Sequence, residues 1–256
     1  MNIQILGAHN IASKDSSCIS ILIDRVLAID AGALTPNLTL DEQQELRAVL
    51  LTHYHYDHVR DIPSLGINYY LHESTIDIYA TQSVLEAVSA YLLNDVIYPD
   101  YTKRPPDKPA VRFHTLEVGK EELAAGYTAL PLPVHHAVPT VGYLLTARDG
   151  KKVFYTSDTG SGLADVWRQI SPDLLIIEVT GSNKYHDFAL QSGHLTPSLL
   201  RTELESFRDI NGYLPRIVLV HMNPIDENVI RSEISQVEKS LQTEITFGYE
   251  GMQLEI

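Results

Sequence analysis

A chain of 256 residues with 33 Asp and Glu against 19 Lys and Arg carries a formal charge of −14. That balance excludes a broad, sequence-independent nucleic-acid surface, which draws its affinity from Lys and Arg neutralising phosphates. A small anionic ligand stays compatible, because bound divalent cations invert the local field. The single cysteine, Cys18, excludes an intrachain disulfide and any cysteine-rich zinc site, and no apolar run reaches the length of about 18 residues that a membrane crossing needs.

The opening MNIQILGAHN lacks the charged start, long apolar core and small-residue cleavage site of a secretory leader, so a cytoplasmic location is expected. Short runs rich in Ile, Val and Leu predict buried strands at 3–6, 18–23, 26–30 and 48–53. Residues 74–93, STIDIYATQSVLEAVSAYLL, carry apolar side chains at helical spacing and predict one or two helices. PDYTKRPPDKP, 99–109, holds four prolines and predicts a loop. Further strands are expected at 153–158, 173–179 and 216–221. Thr196-Pro197 opens a helix, with Thr196 as N-cap and Pro197 at its first position, and 227–241 forms an exposed amphipathic one. No repeat or low-complexity stretch interrupts the series. Residues 1–256 are therefore expected to form a single domain, with a helical and loop excursion at about 72–109.

Several strands end in a polar residue: Asp30, His53, Asp158, Glu178 and His221. Groups just beyond rigid strands are well placed for chemistry. The densest set is LLTHYHYDHVRDIP, 50–63, which holds His53, His55, Asp57 and His58 within six positions. Extended backbone sends alternate side chains to one face, so His53 and His55 converge on one metal. Asp57 and His58 lie in the turn beyond and suit a second. Imidazole and carboxylate are ligands for zinc, or for iron or manganese in the same geometry. A solvated histidine turn is the ordinary alternative, and the buried strand running into the motif argues against it.

The motif resembles the H-x-H-x-D-H signature of the metallo-β-lactamase superfamily. The resemblance implies an α/β fold in four layers, an αββα sandwich of two mixed β-sheets flanked by helices, with one or two metals at the sheet edge. It also implies three further ligands in order, and the chain offers His135 or His136, then Asp158 in VFYTSDTG, then His221 in IVLVHMNP. Neighbouring strand residues face opposite ways, so the residues alone leave His135 and His136 open. The stretch His136-Ala-Val-Pro-Thr-Val-Gly-Tyr is similar to a ribonuclease Z pattern in which the ligand precedes a small residue, and that similarity selects His136. The implied cage is His53, His55 and His136 around one divalent ion, Asp57, His58 and His221 around another, and Asp158 between them. Zinc is the expected metal, with manganese or iron as substitutes.

Two metals sharing a hydroxide make hydrolysis the natural reaction. In IEVTGSNKYHDFALQSGHLTPSLLRTEL, 177–204, Glu178 ends a strand and His194 precedes the Thr-Pro helix start. A histidine beside a metal-held phosphodiester donates to a phosphoryl oxygen or protonates the departing alkoxide, and a carboxylate beside it orients the ring and raises its pKa. The bland alternative is that His194 packs at the helix start. His194, Asp57 and Glu178 are thus the expected catalytic set.

This stretch resembles the phosphodiesterase branch of the superfamily. Ser192-Gly-His-Leu-Thr-Pro197 and Leu93-Asn-Asp-Val-Ile-Tyr-Pro-Asp100 are similar to segments of the class II cyclic-nucleotide phosphodiesterases, while Tyr56 and Asp61 depart from that pattern. The resemblance implies a dinuclear phosphodiesterase that opens 3′,5′-cyclic AMP or GMP to the nucleoside 5′-phosphate. It implies a small anionic phosphodiester as partner, neither membrane nor large nucleic acid, and the homodimer common among such enzymes.

A ribonuclease Z-like tRNA 3′-processing endonuclease is the alternative, but its basic, glycine-rich arm is missing: 94–109 sets three Lys or Arg against three Asp. A lactonase or thioesterase would leave Glu178 and His194 without a task, and a non-catalytic metal-binding protein would not need the full ligand set. His9, His72, His114 and His186 are expected to be solvated, and Cys18 to be a small buried apolar residue. Tyr54, Tyr56, Tyr98, Tyr101 and Tyr185 lie near the motif segments; a purine could stack on one, although core packing is the commoner use.

Overall fold

Short apolar runs become neighbouring strands of two seven-stranded sheets in the computed structural model, which describes residues 1–256. The first half of the chain supplies β1 (Asn2–Gly7), β2 (Ser20–Ile23), β3 (Leu27–Ile29), β4 (Ala48–Leu50), β5 (Ile76–Ala80) and β6 (Val111–Thr115). The second supplies β7 (Glu122–Ala124), β8 (Tyr127–Val134), β9 (Thr140–Thr146), β10 (Lys152–Tyr155), β11 (Leu174–Glu178), β12 (Arg216–Val220), β13 (Ile245–Phe247) and β14 (Met252–Glu255). The strand orders are β14-β1-β2-β3-β4-β5-β6 and β13-β12-β11-β10-β9-β8-β7. Both sheets are mixed: β3 to β6 run parallel, as do β10 to β13, and the remaining pairs are antiparallel.

Helices cover both outer faces. On the first sheet lie α1 (Leu34–Asn37), α2 (Leu40–Glu45), α3 (Tyr56–Val59), α4 (Ile62–Leu71) and α5 (Gln82–Tyr91), packed over a cluster that includes Val49, Leu65, Tyr69 and Val84. On the second lie α6 (Ala164–Trp167), α7 (His186–Ser192), α8 (Pro197–Asn211) and α9 (Glu227–Leu241), packed through Trp167, Phe207 and Ile234. Between the sheets Ile5, Ile21 and Leu50 meet Tyr143, Tyr155 and Val218. The result is the αββα sandwich. No helix is long and apolar enough to cross a membrane.

The helix expected over 74–93 is a correction. Ile76–Ala80 is β5, paired in parallel with β4 and β6, and only Gln82–Tyr91 is helical. Its burial alternates residue by residue, with Ile76, Ile78 and Ala80 under the helices and Tyr79 against the intersheet core. The helix at 197 forms as expected, with Pro197 in its first turn, but the Thr196 side chain makes no capping bond to the helix backbone. Inside that helix Glu203 is buried. It accepts hydrogen bonds from Gly162 N, Leu163 N and the Trp167 indole, and so anchors the loop that follows Asp158.

Candidate metal centre

Parallel pairing gathers the polar strand ends at one edge. β3 and β4 run side by side, so Asp30 emerges next to Thr52 and His53. β10, β11 and β12 do the same for Asp158, Glu178 and His221. Asp30, Ser157 and His221 take left-handed backbone conformations, at φ of 58°, 60° and 63°, which non-glycine residues rarely adopt. Each turns the chain sharply just past its strand. His55 sits in extended conformation at the N-cap of α3, which puts Asp57 and His58 in the first turn of that helix.

Two groups of ligating atoms face each other across Asp158. His53, His55, His136 and Asp158 form one set, with Asp57, His58 and His221 beside it, each set within 4.8 Å. Asp158 Oδ2 lies 3.7 Å from both His53 Nε2 and His136 Nε2, whereas Oδ1 lies 3.3 Å from both His58 Nε2 and His221 Nε2. Asp57 Oδ2 closes the second set, 3.3 Å from His221 Nε2 and 3.7 Å from His58 Nε2. Ligands about 2.1 Å from a common tetrahedral ion stand about 3.4 Å apart, so these edges suit one cation in each set.

The donor chemistry fits as well. His53 Nε2, His58 Nε2 and Asp158 Oδ1 are buried without a hydrogen-bond partner, which is costly unless something else occupies the gap. Hydrogen bonds on the far side of the rings set the tautomers. His58 Nδ1 donates to Asp30 Oδ2 at 2.7 Å, and His136 Nδ1 donates to Gly193 O at 2.9 Å. Thr52 Oγ1 donates to Asp30 and so receives His53 Nδ1 at 3.0 Å. Thr180 Oγ1 donates to Glu178 Oε2 and receives His221 Nδ1 at 2.8 Å. Each of these four rings therefore turns a lone pair on Nε2 towards Asp158, the arrangement a metal ligand needs.

Electrostatics points the same way. Burial depresses His53, and the neighbouring imidazoles reinforce it; burial likewise lowers His55 and His136. Neutral rings result. Burial also opposes charge on His58, yet the Asp158 and Asp30 carboxylates push its pKa up. The place beside Asp158 is thus one where a positive charge is wanted, whether carried by a proton or by a cation.

Asp30 was visible in the sequence only as a polar strand end, and Thr52 and Thr180 not at all. Together they form two matching relays. Asp30 holds His58 directly and His53 through Thr52; Glu178 holds His194 directly, at 2.7 Å, and His221 through Thr180. Asp30→Asn is expected to weaken metal binding about 10- to 100-fold, read by competition with a chelator. Unchanged affinity would show that the ring orientation does not depend on Asp30.

His194 lies outside these two sets but forms a third possible ligating group with Asp158 and His221, within 4.8 Å, its ring stacked on that of His221 at 5.6 Å. Burial would lower its pKa, but Glu178 overrides this and pushes it up to about 9. Glu178 is fully buried and also accepts from Thr159 N and Leu195 N. Of the adjacent histidines, His136 joins the first set, 3.1 Å from His55 Nδ1, while His135 turns away to donate to Ser161 O at 2.7 Å.

The four histidines expected to be solvated are partly engaged. His9 is buried and held between Glu250, at 2.6 Å, and Glu227, at 3.4 Å. His114 bonds Asp77 and stacks on Tyr79, His72 bonds Asn68 O, and His186 bonds Ser198. Cys18 is buried and free, and Tyr101 is a core residue.

Residues 20–222 match the family model described as "Beta-lactamase superfamily domain". No curated protein matches the chain in sequence. Among solved structures, unliganded yeast PDE1 superposes with a TM-score of 0.85 at 15% identity, over 100% of this chain and 99% of that one. The metallo-beta-lactamase fold protein YhfI from Bacillus subtilis gives 0.78 at 19%, over 100% and 98%. The short form of human tRNase Z gives 0.68 at 18%, over 100% and 99%. At these identities the likeness is one of fold.

Proposed function

The chain belongs to the β-lactamase superfamily, and from that premise we propose that it is a dinuclear metal-dependent phosphodiesterase acting on a small phosphodiester, a 3′,5′-cyclic nucleotide first of all. Two divalent cations in the cage, zinc or else manganese or iron, supply the Lewis acidity that makes water nucleophilic near neutral pH and neutralises phosphoryl oxygens. The observation that carries the reading is His194, an imidazole beside the cage that reaches Asp158 and His221 and is aimed by a buried carboxylate. A thiolate leaves a thioester without a proton donor, whereas a departing 3′ alkoxide needs one.

The roles of the chain's own groups follow from their positions. Asp57, whose side chain is 25% exposed, faces the incoming substrate and can accept the proton of the attacking water. His194 carries a proton on each ring nitrogen when charged; Nδ1 is committed to Glu178, so the Nε2 proton passes to the 3′ oxygen as the P–O bond breaks. Glu178 is the positioning residue that fixes that ring and favours its charged form.

The tRNA-processing alternative fares worse on charge. In 94–109 Lys103 pairs with Asp100 at 2.7 Å, Arg104 pairs with Asp95 at 2.9 Å, and the Lys108 ammonium donates to Glu73 O, so all three cations are already engaged. Metal-loaded protein should hydrolyse cyclic AMP, cyclic GMP and bis-p-nitrophenyl phosphate, and leave a 3′-extended tRNA precursor intact. Cleavage of the tRNA precursor alone would overturn the assignment.

A further inference from the structure

His221 needs support from outside its own strand. It follows β12 in a left-handed conformation, at φ of 63°, and a non-glycine residue stays there only where its surroundings over-determine it. The end of β11 secures one side: His221 Nδ1 meets Thr180 Oγ1, and Asn223 N donates to Thr180 O at 3.0 Å. The other side is held by residues 8–19, which join β1 to β2 in the opposite sheet. His221 N donates to Ala8 O at 2.6 Å, Asn10 N donates to Met222 O at 3.4 Å, and His9 forms an isolated bridge with Met222.

Apart from bridges at His9 and Cys18, this segment lies outside any strand, so its own position must be fixed by something else. One carboxylate oxygen does so. Glu250 Oε1 accepts from His9 Nδ1 at 2.6 Å, from Ser17 N at 2.8 Å and from Ala8 N at 3.5 Å, and so gathers both ends of the segment. Glu250 lies in the turn between β13 and β14, which is itself tied down by Gly248 N to Leu219 O and Gly251 N to Ile5 O. His9 Nε2 meets Glu227 Oε2 at 3.4 Å, at the start of α9. An exposed ion pair would contribute little. Here His9 is buried, and three donors converge on a single atom.

We propose that Glu250 is a positioning residue for the cation of the second set: it clamps Ala8, His9 and Ser17, and through Ala8 O it fixes the turn that aims His221. The inference rests on the two-cation centre of the phosphodiesterase reading and gives Glu250 no contact with substrate.

Chelator competition on the cobalt-loaded full chain, followed by the visible spectrum of the bound cobalt, tests this. Glu250→Ala should weaken one of the two cations about tenfold, the low end for groups that orient a ligand. It should also shift the bands of that cation and leave the other unchanged. Glu250→Gln keeps an oxygen for the same three donors and should restore most of the affinity. If Glu250→Ala does not fold, Glu250→Asp, whose oxygens sit one methylene further back, should give the same loss in smaller measure. Leu254→Ala, buried in β14 opposite Ile3, should melt earlier without moving either affinity. Affinities and a spectrum indifferent to Glu250→Ala would overturn the inference. So would a loss shared equally by both cations or by Leu254→Ala, or a Glu250→Gln as weak as Glu250→Ala. Assays with cyclic AMP and bis-p-nitrophenyl phosphate report on the reaction separately. A Glu250-dependent cation without turnover would refute the phosphodiesterase and keep the clamp; turnover with cation binding indifferent to Glu250 would do the reverse.

Discussion

Asp158→Asn is expected to empty at least one of the two cation positions and to lower phosphodiester turnover by on the order of 10³-fold, since a lost clamp on the phosphoryl oxygens removes several kcal/mol of transition-state stabilisation. The reason lies in how the carboxylate is shared. Its Oδ2 faces His53 and His136 while its Oδ1 faces His58 and His221, so the only charge lying between the two sets is its own. Burial disfavours that charge, yet the His221 and His58 rings hold the Asp158 carboxyl well below its usual range. An amide of the same shape keeps the packing and removes the anion, and two nearby cations then repel across it unshielded. Elemental analysis of dialysed protein reads the occupancy directly. Retention of both metals by Asp158→Asn would sink the bridging assignment. The same measurement separates the adjacent histidines: His136→Ala should lose the cation of the first set, and His135→Ala should keep it.

Much of this cluster was legible in the chain because its side chains sit at the ends of short apolar strands, where local pattern and chemistry coincide. His53, Asp158 and His221 each follow a buried run. What local pattern hides is the partner supplied by a neighbouring strand. Asp30 acquires a role only because β3 and β4 pair in register, Ile29 beside Leu50, and so bring it to Thr52 and His58. Glu178 gains its grip on His221 only through Thr180. The unforeseen strands have local causes. β5 has a two-residue period only five residues long, and the helix that follows it dominates any wider window. β8 contains Pro131 and Pro133, which cannot donate to a ladder. They are tolerated because β7 pairs only with Tyr127 to Ala129, so the strand beyond is bordered by β9 alone.

His194→Ala is expected to lower kcat for a cyclic nucleotide by about 10²- to 10⁴-fold, the range for lost general acid help. It should cost far less for bis-p-nitrophenyl phosphate, whose leaving group departs without a proton. The pH profile then identifies the group. A histidine acting as an acid works while protonated, so with a pKa raised to about 9 the rate holds through neutral pH and falls as pH climbs past that value. Bound cations nearby disfavour the imidazolium and move the fall to lower pH, never higher. Glu178→Gln removes the carboxylate that counters burial, so the alkaline limb should shift towards acid and leave activity recoverable at lower pH. Gln can accept from only one side, whereas Glu178 meets donors from Thr159, Thr180, His194 and Leu195, so this variant should also melt earlier. Stability and ionisation are nonetheless separable, because a merely loosened site lowers the rate at every pH without moving the limb. A limb in the same place for wild type and Glu178→Gln, or one that survives His194→Ala, would remove the proton from His194 and return that ring to a packing role.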